Sequence, residues 1–218
     1  CGANMLNGVL ITHLHSDHIT DLNDVITSVW ITSFAEQKPL QIVGPPGTKE
    51  VVDRLLHFLS FDIKYRIDHH EDLNEPPAVN VTEIESGVVE LEGNVKISTE
   101  PTDHRPVDPT IAFRFDYGDD AVVVAGDTIP CAGLDKLCTG AKGLVHTVIR
   151  KDIIENIPLQ RLQDVCDYHS SVEEASRTAE RASIETLTLT HYVPAFPSGQ
   201  EEEWREIAAQ YFSGTIEL

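Results

Sequence analysis

The sequence predicts an α/β fold, in which residues 1–218 form one domain whose sheets are covered by helices. Short apolar segments of strand length recur along the chain and alternate with amphipathic segments of helical period. No internal repeat, low-complexity segment or linker interrupts this alternation. The chain has 218 residues, of which 41% are hydrophobic, and this is enough to build a substantial buried core.

The first half of the chain alternates strand and helix. Apolar runs predict strands at 9–12 and 39–43, and the segments that follow them predict helices at 21–34 and 48–60. The second helix has the clearer pattern, because apolar residues recur at intervals of three and four while charged residues occupy the opposite side. Its apolar stripe consists of Val51, Val52, Leu55, Leu56 and Leu59.

Strands dominate the second half of the chain, where the clearest feature is a β-hairpin at 110–126. In TIAFRFD the pattern alternates, so Ile111, Phe113 and Phe115 are expected to face the core and the residues between them solvent. The turn YGDD then leads into the apolar run AVVVAG. Ser171 has the spacing of a capping box and begins a helix. The other predicted elements are strands at 79–84, 94–99, 143–149 and 185–191 and helices at 171–181 and 201–212.

The chain is strongly acidic, with 36 acidic and 16 basic residues and a formal net charge of −20. Such a surface repels polyanions, nucleic acids included, unless basic groups are clustered locally. The densest basic run, IRKD at 149–152, is short. A strongly acidic surface is also typical of proteins whose net charge keeps them soluble.

Composition also bears on the compartment. No apolar run exceeds five residues, so neither a membrane span nor a signal peptide is expected in this sequence. The four cysteines form no C-x-x-C pair, and a chain of this size does not depend on disulfides. We therefore expect reduced thiols and a cytoplasmic location, with a bridge between Cys131 and Cys138 as the alternative.

Candidate metal ligands are concentrated at 13–18, where HLHSDH follows the apolar run GVLIT. In an extended loop the rings of His13 and His15 point the same way, and Asp17 continues the alternation. His18 adds a donor from another direction. Imidazole nitrogens and carboxylate oxygens bind zinc and similar divalent ions. Four donors are too many for one tetrahedral ion that keeps a water, so the motif indicates two ions that share a loop.

Three more ligand-type residues each follow an apolar strand. His104 comes after KIST and a short loop, Asp127 after AVVVAG, and His191 after TLTLT. Strand ends at one edge of a sheet lie close together, which is how a fold gathers ligands that are distant in sequence. Zinc is the expected metal, and Mn²⁺ and Fe²⁺ accept the same ligands.

These motifs, THLHSDH, PTDH, AGDT and LTHYVP in that order, resemble those of the metallo-β-lactamase superfamily. The resemblance implies an αββα sandwich with a two-metal site along one edge of its sheets, and a chain that lacks the family's N-terminal strands. It further implies a hydroxide bridging the two ions as nucleophile, with Asp17 orienting it or taking its proton. The implied ligands are His13, His15 and His104 for one ion, Asp17, His18 and His191 for the other, and Asp127 between the two.

The stretch that begins at Cys166 with CDYHSSVEEAS resembles the ribonuclease Z branch, the tRNA 3′-processing endonucleases. That family has a His-Ser-Thr motif opening a helix, and GPPGTKEV at 44–51 also resembles its glycine-rich stretch. The resemblance implies that His169 is the general acid that protonates the leaving ribose oxygen, a step for which an imidazole is well suited. It also implies a homodimer and a precursor-tRNA substrate.

Three features differ from the family pattern. The RPVDP loop and the hairpin use all the residues between His104 and Asp127, which leaves no room there for the family's tRNA-binding arm. The family has a His-Glu-Ala-Thr motif whose glutamate orients the catalytic histidine. This chain has HTVI at 146–149 instead, so the glutamate is absent. Asp152 or Asp167 would have to substitute for it. The acidic surface also differs from that of a tRNA-binding protein.

We therefore expect a binuclear metal-dependent phosphodiesterase of the ribonuclease Z type, acting on precursor tRNA, another RNA or a smaller phosphodiester. The alternative is a hydrolase of carboxylic esters, lactones, sulfate esters or β-lactams, because the same fold and metals serve all of these. Only the motif at His169 favours phosphodiesters. A non-catalytic nucleic-acid-binding or scaffold relative would be expected to have lost ligands, and this sequence retains all of them.

Overall fold

The computed structural model describes residues 2–33, 38–196 and 199–218. They form two compact units. The first unit spans Cys1–Ile84 and Leu91–Gly93, and the second spans Glu85–Glu90 and Asn94–Leu218. The assignment of the whole chain to a single domain stays a prediction.

The first unit is built on a parallel sheet of three strands in the order β1-β2-β3. Its core consists of apolar side chains from the strands and from the two helices predicted at 21–34 and 48–60. Ile26 and Ile42 are fully buried there. Its elements are β1 (Gly8–Leu10), α1 (Ser16–Ile19), α2 (Leu22–Thr32), β2 (Leu40–Gly44), α3 (Thr48–Phe58), α4 (Ser60–His69) and β3 (Val79–Glu83).

The helices predicted at 21–34 and 48–60 are confirmed as α2 and α3. The sequence predicted no further helix in this unit, and this was wrong. The predicted end of the first helix, Phe34, lies outside the described residues. A separate helix, α4, follows α3. The sequence shows no apolar stripe there, because two aromatic residues of α4, Phe61 and Tyr65, are exposed to solvent and do not face the core. On α3 the predicted stripe does face inward, and Val52 is fully buried.

The second unit contains a mixed sheet of seven strands in the order β10-β9-β8-β7-β6-β5-β4. The strands from β4 to β7 pair antiparallel, and those from β7 to β10 pair parallel. The elements are β4 (Gly87–Val89), β5 (Lys96–Pro101), β6 (Ile111–Tyr117), β7 (Asp120–Val124), α5 (Ala132–Cys138), β8 (Gly143–Ile149), α6 (Lys151–Ile154), α7 (Gln160–Gln163), α8 (Val172–Arg181), β9 (Thr186–Val193), α9 (Glu201–Ala209) and β10 (Thr215–Glu217).

The hairpin predicted at 110–126 is confirmed as β6 and β7, with Phe113 opposite Val124. The outward assignment of Ala112 was wrong, because that residue is buried in the same apolar cluster as Leu134 of α5. Helix α5, which the sequence did not predict, covers this face of the sheet, so the start of β6 is buried on both sides.

No described helix combines the length and the apolar character needed to cross a membrane. The three described cysteines, Cys131, Cys138 and Cys166, are free thiols, so the alternative bridge between the first two is not formed. Burial raises the pKa of the Cys138 thiol to about 12, which keeps it protonated and unreactive.

Candidate metal centre

The first unit carries four predicted ligands in the loop after β1, which we call the loop group: His13, His15, Asp17 and His18. His13 is fully buried, and its Nδ1 lies 3.0 Å from Thr12 Oγ1. The ring of His13 has its centroid 5.0 Å from that of His15 and 4.1 Å from that of His18. Asp17 Oδ2 lies 3.5 Å from His18 Nε2, which completes the group.

The loop group divides into two parts by backbone conformation. The chain is extended at His15, with φ −63° and ψ 149°, and becomes helical at Ser16, where α1 begins. The expectation that Asp17 continues an extended alternation was therefore wrong, since it lies on the first turn of α1 beside His18. The extended part presents His13 and His15, and the helical turn presents Asp17 and His18.

The second unit carries the other predicted ligands and the predicted acid, which we call the sheet-edge group: His104, Asp127, His169 and His191. Strand β5 runs parallel to β7, and β7, β8 and β9 run parallel to one another. Their carboxyl ends therefore lie at one edge of the sheet. Three members of the group follow or end these strands, as the sequence predicted.

Three imidazole rings converge on a single carboxylate in this group. Asp127 Oδ2 lies 3.2 Å from Nε2 of His169, 3.7 Å from Nε2 of His191 and 4.0 Å from Nε2 of His104. Asp127 is only 2% exposed and His104 is fully buried. This places nitrogen donors around one negative oxygen in surroundings from which water is largely excluded.

A bulge in β9 directs His191 toward the carboxylate. Thr190 pairs with Thr147 and Val193 pairs with Ile149, so two residues of β9 face one residue of β8. His191 has a φ of 53°, a left-handed conformation that residues other than glycine adopt rarely. Bulges and strained backbone of this kind are common beside functional sites, where they redirect a side chain.

The three residues of the His-Ser-Ser motif have separate roles in the structure. The hydroxyl of Ser170 is fully buried and donates to Thr128 O at 2.7 Å, which ties the loop of the predicted acid to the loop of Asp127. Ser171 caps α8 in a complete capping box with Glu174, as predicted. The two serines thus fix the backbone that directly follows His169.

Both ring nitrogens of His169 face hydrogen-bond acceptors. Nδ1 lies 3.0 Å from Val165 O, and Nε2 lies 3.2 Å from Asp127 Oδ2. A carbonyl oxygen can only accept, so Nδ1 donates to Val165 O, and Nε2 is the nitrogen that faces the carboxylate. The expectation that Asp152 or Asp167 orients this ring is not met at Nδ1, where the acceptor is a backbone carbonyl. Asp152 instead binds Arg150 through two hydrogen bonds of 2.7 Å.

The donor set fits a divalent metal. A carboxylate is rarely buried as fully as Asp127 unless it is paired or binds an ion, and His104 of the same unit is fully buried. His104 donates Nδ1–H to Tyr168 O at 2.8 Å, so the lone pair of the neutral ring lies on Nε2, the nitrogen that would bind a metal ion. Metal-binding histidines commonly have their second nitrogen fixed in this way.

Comparisons with known proteins agree with these motifs. A family described as the Beta-lactamase superfamily domain matches residues 2–192. The Ribonuclease Z of Mycolicibacterium paratuberculosis (strain ATCC BAA-968 / K-10) is 59% identical over 218 residues, covering 100% of this chain and 78% of that protein. The Ribonuclease Z of Mycobacterium marinum (strain ATCC BAA-535 / M) is 56% identical with the same coverage.

Solved structures match the fold at lower identity. The metallo-beta-lactamase fold protein YhfI from Bacillus subtilis superimposes with a TM-score of 0.71 at 20% identity, covering 99% of this chain and 75% of that one. Human tRNase Z, short form, superimposes with a TM-score of 0.68 at 19% identity, covering 99% and 77%. The predicted α/β fold of the metallo-β-lactamase type is confirmed. The chain belongs to the ribonuclease Z family, within the β-lactamase superfamily of metal-dependent hydrolases.

Proposed function

We propose that this chain is an endonuclease that cleaves a phosphodiester bond in RNA, with precursor tRNA as the first substrate to test. The relatives named Ribonuclease Z, at 59% identity, support this choice. The observation that carries it is the placement of His169, whose Nε2 lies 3.2 Å from the carboxylate on which the sheet-edge group converges. Phosphodiester cleavage needs a proton donor at this place for the leaving oxygen.

The proposed site holds two divalent ions. One ion would be held by His13, His15 and His104 and the other by Asp17, His18 and His191, with Asp127 between them. The loop group and the sheet-edge group supply the nitrogen and oxygen donors that zinc prefers, and Mn²⁺ or Fe²⁺ would accept the same set. When bound, the ions would lower the pKa of a coordinated water to about 7 and so make a nucleophile available at neutral pH.

The chain's own residues perform the proton transfers. Asp17 accepts the proton of the attacking water or holds that water in line. His169 donates its Nε2 proton to the leaving ribose oxygen, which becomes a 3′-hydroxyl, while the phosphate stays on the released fragment. Nδ1–H of the same ring keeps its hydrogen bond to Val165 O throughout, so that nitrogen stays in place after the Nε2 proton is lost.

The second candidate is hydrolysis of a carboxylic ester, lactone, sulfate ester or β-lactam at the same metals. Leaving groups that are good enough without protonation would not need His169, so this candidate predicts that the residue is dispensable. Its place in the sheet-edge group favours the phosphodiester.

The proposal includes a cytoplasmic homodimer. The free thiols of Cys131, Cys138 and Cys166 are consistent with a reducing compartment. Three aromatic side chains of the first unit are between 65% and 73% exposed: Phe58 of α3, and Phe61 and Tyr65 of α4. Aromatic residues are enriched at protein interfaces. Sedimentation velocity of the purified protein distinguishes a dimer from a monomer.

The deciding experiment compares substrates on zinc-loaded protein: a precursor tRNA, bis(p-nitrophenyl) phosphate, a lactone and a β-lactam. We expect cleavage of the precursor to give a 3′-hydroxyl, and His169→Ala to lower kcat about 100-fold or more. His70→Ala, which changes an exposed histidine of the first unit, is the matched control and should leave kcat as it is. Precursor cleavage that is undiminished in His169→Ala, or faster turnover of the lactone or β-lactam, would overturn the proposal.

A further inference from the structure

One short turn of the second unit holds two site histidines at the same time. It consists of the single-turn 3₁₀ helix Asp164–Asp167 and the residue after it, Tyr168. Two of its backbone carbonyls accept from imidazole Nδ1 atoms: Val165 O from His169 at 3.0 Å, and Tyr168 O from His104 at 2.8 Å. Because both bonds occupy Nδ1, both rings present Nε2 to Asp127.

The ring of Tyr168 packs against the same two imidazoles. Its centroid lies 5.1 Å from that of His104, with the planes at 79°, and 4.8 Å from that of His169, with the planes at 44°. The two imidazoles are themselves 4.7 Å apart at 84°. The contacts of His104 with Tyr168 and with His169 are edge-to-face, and that of Tyr168 with His169 is tilted; all three centroid separations lie in the favourable range for ring pairs.

A hydrogen bond at Nδ1 fixes one point of an imidazole but leaves the ring free to tilt about that point. The contacts with a third ring remove this freedom, since a tilt of either imidazole would push it into Tyr168 or away from it. The single bond from Nδ1 to Val165 O therefore leaves the tilt of the His169 ring open. Another group therefore has to orient His169.

We propose that Tyr168 is a positioning residue whose ring sets the orientation of both His104 and His169. One side chain then controls two properties: the metal affinity contributed by His104, and the alignment of the proton donor for the leaving oxygen. The second of these rests on the proposed function, whereas the first concerns metal binding alone. The role belongs to the aromatic ring and not to the hydroxyl, and the backbone acceptors stay in place whatever the side chain.

The test uses three variants of the full chain. Tyr168→Leu removes the ring, Tyr168→Phe keeps the ring and removes the hydroxyl, and Tyr211→Leu is the matched control. Tyr211 is a half-buried tyrosine of the same unit that packs on Arg177, with its ring 4.2 Å from the guanidinium carbon. If Tyr168→Leu does not fold, Tyr168→Met fills a similar volume without an aromatic face.

Two measurements are made on each protein: zinc affinity by competition with a chromophoric chelator, and kcat and KM on precursor tRNA. We expect Tyr168→Leu to weaken zinc binding about 10-fold and to lower kcat by a similar or larger factor with KM unchanged. Tyr168→Phe should restore both to within about 3-fold of the wild type, and Tyr211→Leu should change neither. A loss of thermal stability alone, without these changes, is what a purely structural role gives.

The inference is overturned if Tyr168→Leu binds zinc and turns over as the wild type does, or if Tyr168→Phe is as impaired as Tyr168→Leu. A wild-type protein that cleaves no phosphodiester refutes the proposed function instead. In that case the zinc affinities of the same variants still decide whether Tyr168 positions His104.

Discussion

His146 makes the stability of this protein depend on pH. It lies on β8, is fully buried, and donates Nδ1–H to Thr147 O at 2.7 Å. Burial lowers the pKa of His146 from 6.5 to about 4, because the charged imidazolium is poorly solvated there.

The sign and size of the effect follow from that pKa. Between pH 6.5 and about 4 the unfolded chain binds a proton at His146 that the folded chain does not, so the free energy of unfolding falls as the pH falls. A difference of about 2.5 pKa units corresponds to about 3 kcal/mol over the whole window. Above pH 6.5 the contribution is fully present, and below about 4 it is lost.

The assay is urea unfolding of the chelator-treated protein at several pH values from 7 to 4, for the wild type and for His146→Asn. Asparagine can keep the bond to Thr147 O but does not titrate. We expect the wild-type free energy of unfolding to fall more steeply than that of the variant, by about 1.2 kcal/mol per pH unit near pH 5. Parallel curves for the two proteins would refute the reasoning, because they would mean that His146 binds its proton equally in both states.

Two hydroxyls of the His-Ser-Ser motif give further predictions, and a third concerns the buried arginine next to α6. Ser170→Ala leaves Thr128 O buried without its donor and should cost about 1–3 kcal/mol of unfolding free energy, measured in urea. Ser171→Ala removes the cap of α8 and should cost about 1 kcal/mol, with Ser171→Asp recovering most of it because aspartate also caps helices. Arg150→Met should destabilise by about 1 kcal/mol, because two ion pairs are lost while Asp152 and Glu203, which are both 58% exposed, remain solvated; an unchanged melting temperature would contradict this.

The sequence predicted most elements of the sheets, because buried strands such as β8 and amphipathic helices such as α3 have clear periods. It failed at α4, whose exposed aromatic residues hide the helical period, and at α5, a helix of only seven residues. It also failed at Ala112, because period-2 alternation assumes a sheet with one open face and the start of β6 has none.

The candidate ligands could be named from the sequence because imidazole and carboxylate side chains after strands are visible in it. The neighbours that orient them were not. Val165 O binds His169 and Tyr168 O binds His104, and no pattern of residue types marks these contacts because every residue has a backbone carbonyl. The ring contacts of Tyr168 depend on how the chain folds around it. The division of the loop group into an extended and a helical part was missed for a similar reason, since the change of conformation at Ser16 depends on backbone dihedrals.

The most direct test of the central claim is the number of metal ions that the chain binds. Purified protein is loaded with zinc, freed of excess metal and analysed by inductively coupled plasma mass spectrometry. Asp127→Ala is analysed in the same way, and so is a control in which the exposed His69 and His70 are both changed to alanine. We expect about two ions per chain in the wild type and in the control, and fewer in Asp127→Ala. Fewer than one ion per chain in the wild type, or an undiminished content in Asp127→Ala, would contradict the account.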